Sequence, residues 1–280
     1  MFAIREILPE PVPRIRVVDA GAAEHETDPY ARLSEQGLCD VIGFEPHKAN
    51  WVRRQATARP NHRYLPYALG DGRVRRFHEC EGGLASSLYK PNAALLENFA
   101  QLELRIVAEY DIQTFRLDDL SEIDDIDYLK LDVQGAELDI IGGAQARLAA
   151  TLVVHTEVEF IPIYVDQPLF GDVDVALRQS GFWLHTLGGL TGGLLRPFEP
   201  GNRRAPSTNQ ILWAEAAVYV RNFMSFDRLS PEKLLKLAII LHEVYQSWGL
   251  AALALRAHHT QTGQGLEQAY LDRLRDTGIA

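Results

Sequence analysis

Between Arg14 and about Val154 the chain alternates short β-branched and aromatic runs with segments of helical character, and this rhythm limits the fold more than any other feature. Such alternation suits βαβ units, because a parallel strand returns to its sheet only through a crossover that a helix usually supplies. The expected strands are IRVVDA (15–20), DVIGFE (40–45), HRYLPYAL (62–69), DYLKLD (127–132) and TLVVHTEVE (151–159). Helices are expected over 29–37, where Asp28 can cap, Pro29 suits the first turn and Gly37 a stop, and near 47–58. Residues 71–118 break the rhythm and suit an insertion near a mouth of the sheet: RVRRFHEC as a strand, EGGLASSLYKPN as a loop, AALLENFAQLEL as a helix. FGDVDVALRQSGF then suits a helix, FWLHTL and NQILWAEAAVYVR strands, and the glycines from Gly188 to Gly193 a hairpin turn.

The character changes near Asn222. Ser230-Pro231-Glu232 opens a helix in which Leu234, Leu237, Leu241, Val244 or Tyr245, and Trp248 recur at helical spacing. The expected organisation is therefore a main domain over 1–222 and a helical extension over 223–280. Its apolar stripe would either pack on the body or serve as a homodimer face. The formal charge of −10 belongs wholly to the body, since residues 223–280 hold equal numbers of acids and bases. That balance argues against general affinity for nucleic acid or anionic lipid, which depends on clustered Lys and Arg. Cys39 and Cys80 form no CxxC and stand in no Cys/His cluster, so neither a disulfide framework nor a zinc site is expected. No run of 18 apolar residues and no leader-like h-region is visible, which suggests a cytoplasmic protein without a membrane anchor.

In an open parallel sheet ligands bind beyond the carboxyl ends of the strands, where loops diverge. Asp19 ends the first expected strand with Gly21 beside it, Glu45 ends the second and Asp132 the fourth. An acid ending the second strand can accept both hydroxyl protons of an adenosine ribose, while a surface charge or helix cap is the plain alternative. The dinucleotide fingerprint GxGxxG is missing, for AGAAEHET carries one glycine. A pyrophosphate needs the close backbone approach that glycines permit, so a phosphate-free cofactor such as S-adenosylmethionine fits better than NAD. Asp132 raises a sharper question, because a buried strand does not end in a carboxylate without a partner or a task.

VVDAGA, GFEPHKAN, LPYALGD, GLASSL, TFRLDDL, DYLKLDVQGAELDIIGGA and VVHTEVEFIPIYVDQPLFGDV occur in the order and spacing of the FkbM-type methyltransferases, and over about residues 14–220 the chain resembles that family. The resemblance implies an α/β fold, a Rossmann-like class I methyltransferase sheet with flanking helices, here with a C-terminal helical extension. It also implies S-adenosylmethionine as cofactor and methyl transfer to a hydroxyl of a sugar, glycan or secondary metabolite. By the same resemblance Asp19 and Gly21 approach the methionine portion, Glu45 the ribose, and Ala68, Leu69 and Asp71 the adenine. Asp132 stands beside the transferable methyl, although it could also cap the helix that follows.

Transfer to oxygen needs in-line approach and removal of the hydroxyl proton. His155, Glu157 and Glu159 share one face of the fifth strand and are candidates for base and substrate contact. Ser86 and Ser87 lie in a loop that can close over the cofactor or hydrogen-bond an acceptor. No metal is expected, though the acids and imidazole of HTEVE with Asp132 resemble the ligands magnesium takes in some sugar methyltransferases. The family's first loop often runs Gly-x-Asn, whereas this chain places Glu24 and His25 in that region. A scaffold that keeps the fold without cofactor, and less readily an NAD-dependent oxidoreductase, are the competing readings.

Overall fold

The computed structural model describes residues 2–23, 28–100, 102–198 and 209–279. Glu24 and His25, the residues that depart from the family's first loop, lie outside them. In chain order the strands are β1 (Ile15–Ala20), β2 (Cys39–Phe44), β3 (His62–Leu65), β4 (Ala68–Leu69), β5 (Val74–Cys80), β6 (Ile106–Phe115), β7 (Tyr128–Leu131), β8 (Val153–Glu159), β9 (Phe182–Leu194) and β10 (Asn209–Arg221). The helices are α1 (Ala31–Glu35), α2 (Lys48–Ala56), α3 (Ala93–Leu96), α4 (Glu137–Gly142), α5 (Gln145–Ala150), α6 (Phe170–Gln179), α7 (Pro231–Glu243), α8 (Trp248–Thr262) and α9 (Leu266–Asp276).

Seven strands form one sheet in the order β3-β2-β1-β7-β8-β10-β9. The first five run parallel, and β10 enters antiparallel to both β8 and β9. Strand order reverses between β1 and β7, so their carboxyl ends open a crevice where Asp19, Glu45 and Asp132 were expected to gather. β7 and most of β8 are buried, as a strand covered on both faces must be. This is the Rossmann-like sheet implied by the sequence.

The inserted region differs from expectation. Pro66 divides the anticipated 62–69 strand, because proline has no N–H to donate to a ladder. β3 stays in the main sheet, and β4 joins β5 and the ten-residue β6 in a separate sheet of order β4-β6-β5. β6 was not anticipated. The helix expected over 93–104 shrinks to α3, capped where the Asn92 side chain accepts from Leu95 N. The glycines expected to turn a hairpin lie within β9 instead. A Cβ on Gly193 would stand 2.6 Å from the Phe99 ring, so glycine there lets the insertion pack against the sheet.

α7 lies against the sheet, with ten of its residues buried, and Leu234, Leu237 and Leu241 share one core with Ile15, Val17, Val41 and Val153. The apolar stripe of the extension is thus taken up within its own chain. Charge anchors it as well: Asp127, fully buried, accepts from Lys233 Nζ at 2.7 Å, Lys236 Nζ at 3.0 Å and Arg16 N at 2.9 Å. No helix among the described residues is long and apolar enough to cross a membrane. Cys39 and Cys80 are buried and unpaired by any disulfide.

Removing one partner of a buried ion pair leaves the other charge without compensation, at about 3–5 kcal/mol. Asp127→Ala leaves Lys236, which is 4% exposed, with only the exposed Glu232 as partner, so urea denaturation should show a loss toward the lower end of that range. Glu232→Ala, which removes only the exposed partner of Lys236, should cost under about 1 kcal/mol.

Candidate active site

Two cavities meet at the carboxyl ends of the central strands. A narrow cleft is lined by Gly21 after β1, Glu45 after β2, Ala68 and Leu69 of β4, Ser86 and Ser87 of the insertion, and Asp132 after β7. A wider chamber of about 730 Å³ is lined by Lys130, Asp132, His155, Glu157, Glu159 and Glu215, with Leu102, Leu104, Ile163 and Trp213 as apolar wall. Asp132, Gln134 and Leu84 border both spaces.

Close backbone packing makes the crevice. Gly21 has φ 76°, and a Cβ there would fall 1.7 Å from the Asp132 carbonyl oxygen, so only glycine lets the β1 loop cross the end of β7. Glu45 is 5% exposed, and its Oε1 accepts from His47 N at 2.7 Å. Desolvation outweighs that bond and pushes its carboxyl up to about 7. With Phe44, Tyr67, Leu69 and Leu88 around it, the cleft pairs one acid with apolar walls that suit a purine and a ribose. This donor set fits S-adenosylmethionine, which carries no phosphate to cradle.

Beneath both cavities lies Lys130, a residue that the sequence reading passed over. Its Nζ donates to the Gly21 carbonyl at 2.8 Å and stands 3.1 Å from Asp19 Oδ1 and 3.4 Å from Asp132 Oδ2. Burial works against the ammonium, but the two carboxylates outweigh it and hold Lys130 above its ordinary range. Asp19 Oδ2 accepts from the Tyr30 hydroxyl at 2.6 Å, so this acid is engaged below the cleft and lines neither cavity. Asp71 is likewise turned away, bonded to Arg75 Nη1, Arg73 N and the Thr114 hydroxyl.

Asp132 Oδ1 accepts from Gln134 Nε2 at 2.9 Å, and the same nitrogen donates to Glu157 Oε2 at 2.7 Å. Burial, then the nearby charges of Asp132 and Glu159, hold the Glu157 carboxyl well above the usual range, and burial and Glu137 do the same for Glu159. Glu157 is itself in contact with Asp132, so the two carboxyl groups form a buried pair. Glu137, bonded to Val133 N at 2.8 Å, is pushed by burial up to about 7.

His155 reaches the chamber wall near the point where β10 bulges between Ala214 and Ala217, and its Nδ1 lies 3.1 Å from the Tyr245 hydroxyl. Burial and the Lys130 charge push the imidazole down to about 4, so it is neutral. Ser86 and Ser87, anticipated at the acceptor, border the narrow cleft. The Ser86 hydroxyl accepts from Cys80 N at 3.0 Å, and that of Ser87 donates to the Gln134 carbonyl at 2.6 Å. Among the described residues no three His, Cys, Asp or Glu side chains converge as metal ligands.

The family model of the methyltransferase FkbM domain matches residues 19–184. No curated protein matches the sequence. Among solved structures, the chain is similar to a putative methyltransferase from Thermoplasma acidophilum, with a TM-score of 0.39 and 10% identity over 75% of this chain and 69% of that one. The 16S rRNA (adenine(1408)-N(1))-methyltransferase from Catenulisporales acidiphilia gives a TM-score of 0.35 and 12% identity over 78% and 89%. LepI in its complex with SAM gives 0.36 and 10% over 79% and 47%.

Glu45 makes the cofactor-free fold sensitive to pH. An unfolded Glu ionises near 4.5, whereas the folded carboxyl resists until about 7, so stability falls as pH rises between these values and the whole penalty is present above them. Glu45→Gln, which keeps the His47 contact, should stabilise the protein at pH 8 by about 3 kcal/mol and leave it nearly unchanged at pH 4. Urea denaturation of both proteins at the two pH values measures this.

Proposed function

Because the chain belongs to the FkbM methyltransferase family, whose methyl donor is S-adenosylmethionine, we propose that it methylates a hydroxyl oxygen of a sugar, glycan or secondary metabolite held in the acidic chamber. One observation carries the reading: a chamber of about 730 Å³, wide enough for a small acceptor, shares the Asp132 wall with the cleft that suits the donor.

Bound S-adenosylmethionine supplies an electrophilic methyl on a sulfonium. Glu45 would accept the ribose hydroxyls, Ala68 and Leu69 would flank the adenine, and Gly21 would give the backbone room for the methionine portion. In the chamber Asp132 would take the proton of the acceptor hydroxyl. Glu157 and Glu159 would accept from or donate to the acceptor according to their protonation. Trp213 and Ile163 offer apolar surface for the carbon faces of a sugar ring. His155, neutral and bonded to Tyr245, holds the wall in shape and does not act as base. Carboxyl groups in both protonation states match the mixed donors and acceptors of a polyol. Among the described residues the chamber's one lysine is already engaged by Asp19 and Asp132, which favours a neutral acceptor over an anionic one.

Calorimetric titration with S-adenosylmethionine tests the donor half of this reading. Glu45→Ala should weaken binding by roughly 10- to 150-fold, the equivalent of about 1.5–3 kcal/mol for a charge-assisted hydrogen bond. Unchanged affinity removes Glu45 from the ribose. Radiolabelled methyl transfer to a panel of methyl glycosides tests the acceptor half. On any glycoside that is turned over, Asp132→Asn should lower kcat by about 100-fold or more with the donor Kd unchanged.

A further inference from the structure

Gln134 stands at the only stretch of wall, with Asp132 and Leu84, that both cavities share among the described residues. Its backbone adopts φ 60°, a left-handed conformation uncommon for a long side chain, in the turn that carries β7 into α4. Four hydrogen bonds hold it there. Its amide nitrogen spends one proton on Asp132 and the other on Glu157. Its amide oxygen lies 3.0 Å from the Tyr164 hydroxyl, whose single proton is shared with the Ala85 carbonyl at 3.1 Å. Its main-chain carbonyl accepts from Ser87 in the wall of the narrow cleft.

Taking the two cavities as donor and acceptor sites, as above, we propose that Gln134 is a positioning residue that ties the donor cleft to the Asp132–Glu157 carboxyl pair of the acceptor chamber. One NH₂ group carries two protons at a fixed angle, so it sets the separation of two acids that would otherwise adjust to whatever fills the chamber. The pair is crowded by further ionisable groups: Lys130 on β7, Glu159 on β8, Glu137 on α4 and Tyr164 beyond β8. A ligand that moves the 84–88 segment moves Ser87, and through its hydroxyl the Gln134 main chain. The carboxyl pair then senses donor occupancy without touching the donor.

The test uses S-adenosylhomocysteine as probe and needs no acceptor. Infrared difference spectra of the full chain, with and without the probe, report the carboxyl of Glu157, assigned by its loss in Glu157→Gln. Gln134→Asn retains an amide in a residue type that tolerates left-handed backbone but is one methylene too short to reach both acids. Gln134→Met keeps the length and removes the donors. Because Gln134 also borders the donor cleft, the affinity of each variant for the probe is measured first and the spectra are compared at saturation. In both, the Glu157 band should shift, and its response to the probe should be lost. A band and a response like those of the parent in two folded variants overturn the proposal. Failure of the parent to bind S-adenosylhomocysteine would instead sink the donor-site reading on which it rests.

Discussion

The site is organised around one buried ammonium. Lys130 occupies a strand whose other residues are apolar and covered on both faces, where an isolated charge would cost several kcal/mol. What makes it tolerable is the convergence of Asp19 from β1, Asp132 from the end of β7 and the Gly21 carbonyl from the loop between. The same three contacts draw the ends of two adjacent strands together at the point where sheet order reverses. The β1 loop cannot drift from the β7 turn without exposing a charge to apolar surroundings. Gly21 then becomes obligatory, since the approach that satisfies Lys130 leaves no room for a Cβ against Asp132.

Around that cation the acids divide into two kinds. Asp19 and Asp132 are paired with the ammonium, whereas Glu137, Glu157 and Glu159 sit beyond its direct reach, where burial and mutual repulsion favour their neutral forms. Such a group of carboxyls need not be a concentrated negative charge. It presents acceptors and donors side by side, in a space partly walled by Leu102, Leu104 and Trp213. Among the described residues the one lysine on that wall is engaged by Asp19 and Asp132.

The central sheet was legible because β1, β2 and β8 are short runs rich in β-branched residues and β7 is a short run of Tyr and Leu around one lysine, compositions that suit burial on both faces. The acids at their ends were legible for the same reason, since Glu45 and Asp132 interrupt apolar runs. What those acids touch was not. Asp19 looks equivalent to Glu45 in sequence, yet Tyr30 and Lys130 claim it from below, and only the fold brings those residues together. Lys130 itself left a signal that went unused, a lysine inside an apolar strand. Gln134 left none, because its importance lies in a left-handed turn and in partners 23 and 30 residues away. β6 escaped notice because its alternation of half-buried and exposed positions belongs to a small separate sheet and not to the βαβ rhythm.

The C-terminal extension follows from the same economy of buried polar groups. A helix with one apolar stripe suggests an attached unit, but α7 is buried over most of its circumference, and its lysines reach Asp127 at the opposite end of β7 from the site. Just beyond α7, the Tyr245 hydroxyl lies 2.8 Å from that of Tyr128 and 3.1 Å from His155. His155 in turn lines the chamber together with Glu215 of the β10 bulge. Two hydroxyls and an imidazole thus connect β7, the residues after α7 and the chamber wall. Residues beyond 222 are therefore part of what holds the chamber wall, even though the segment that matches the family ends at 184.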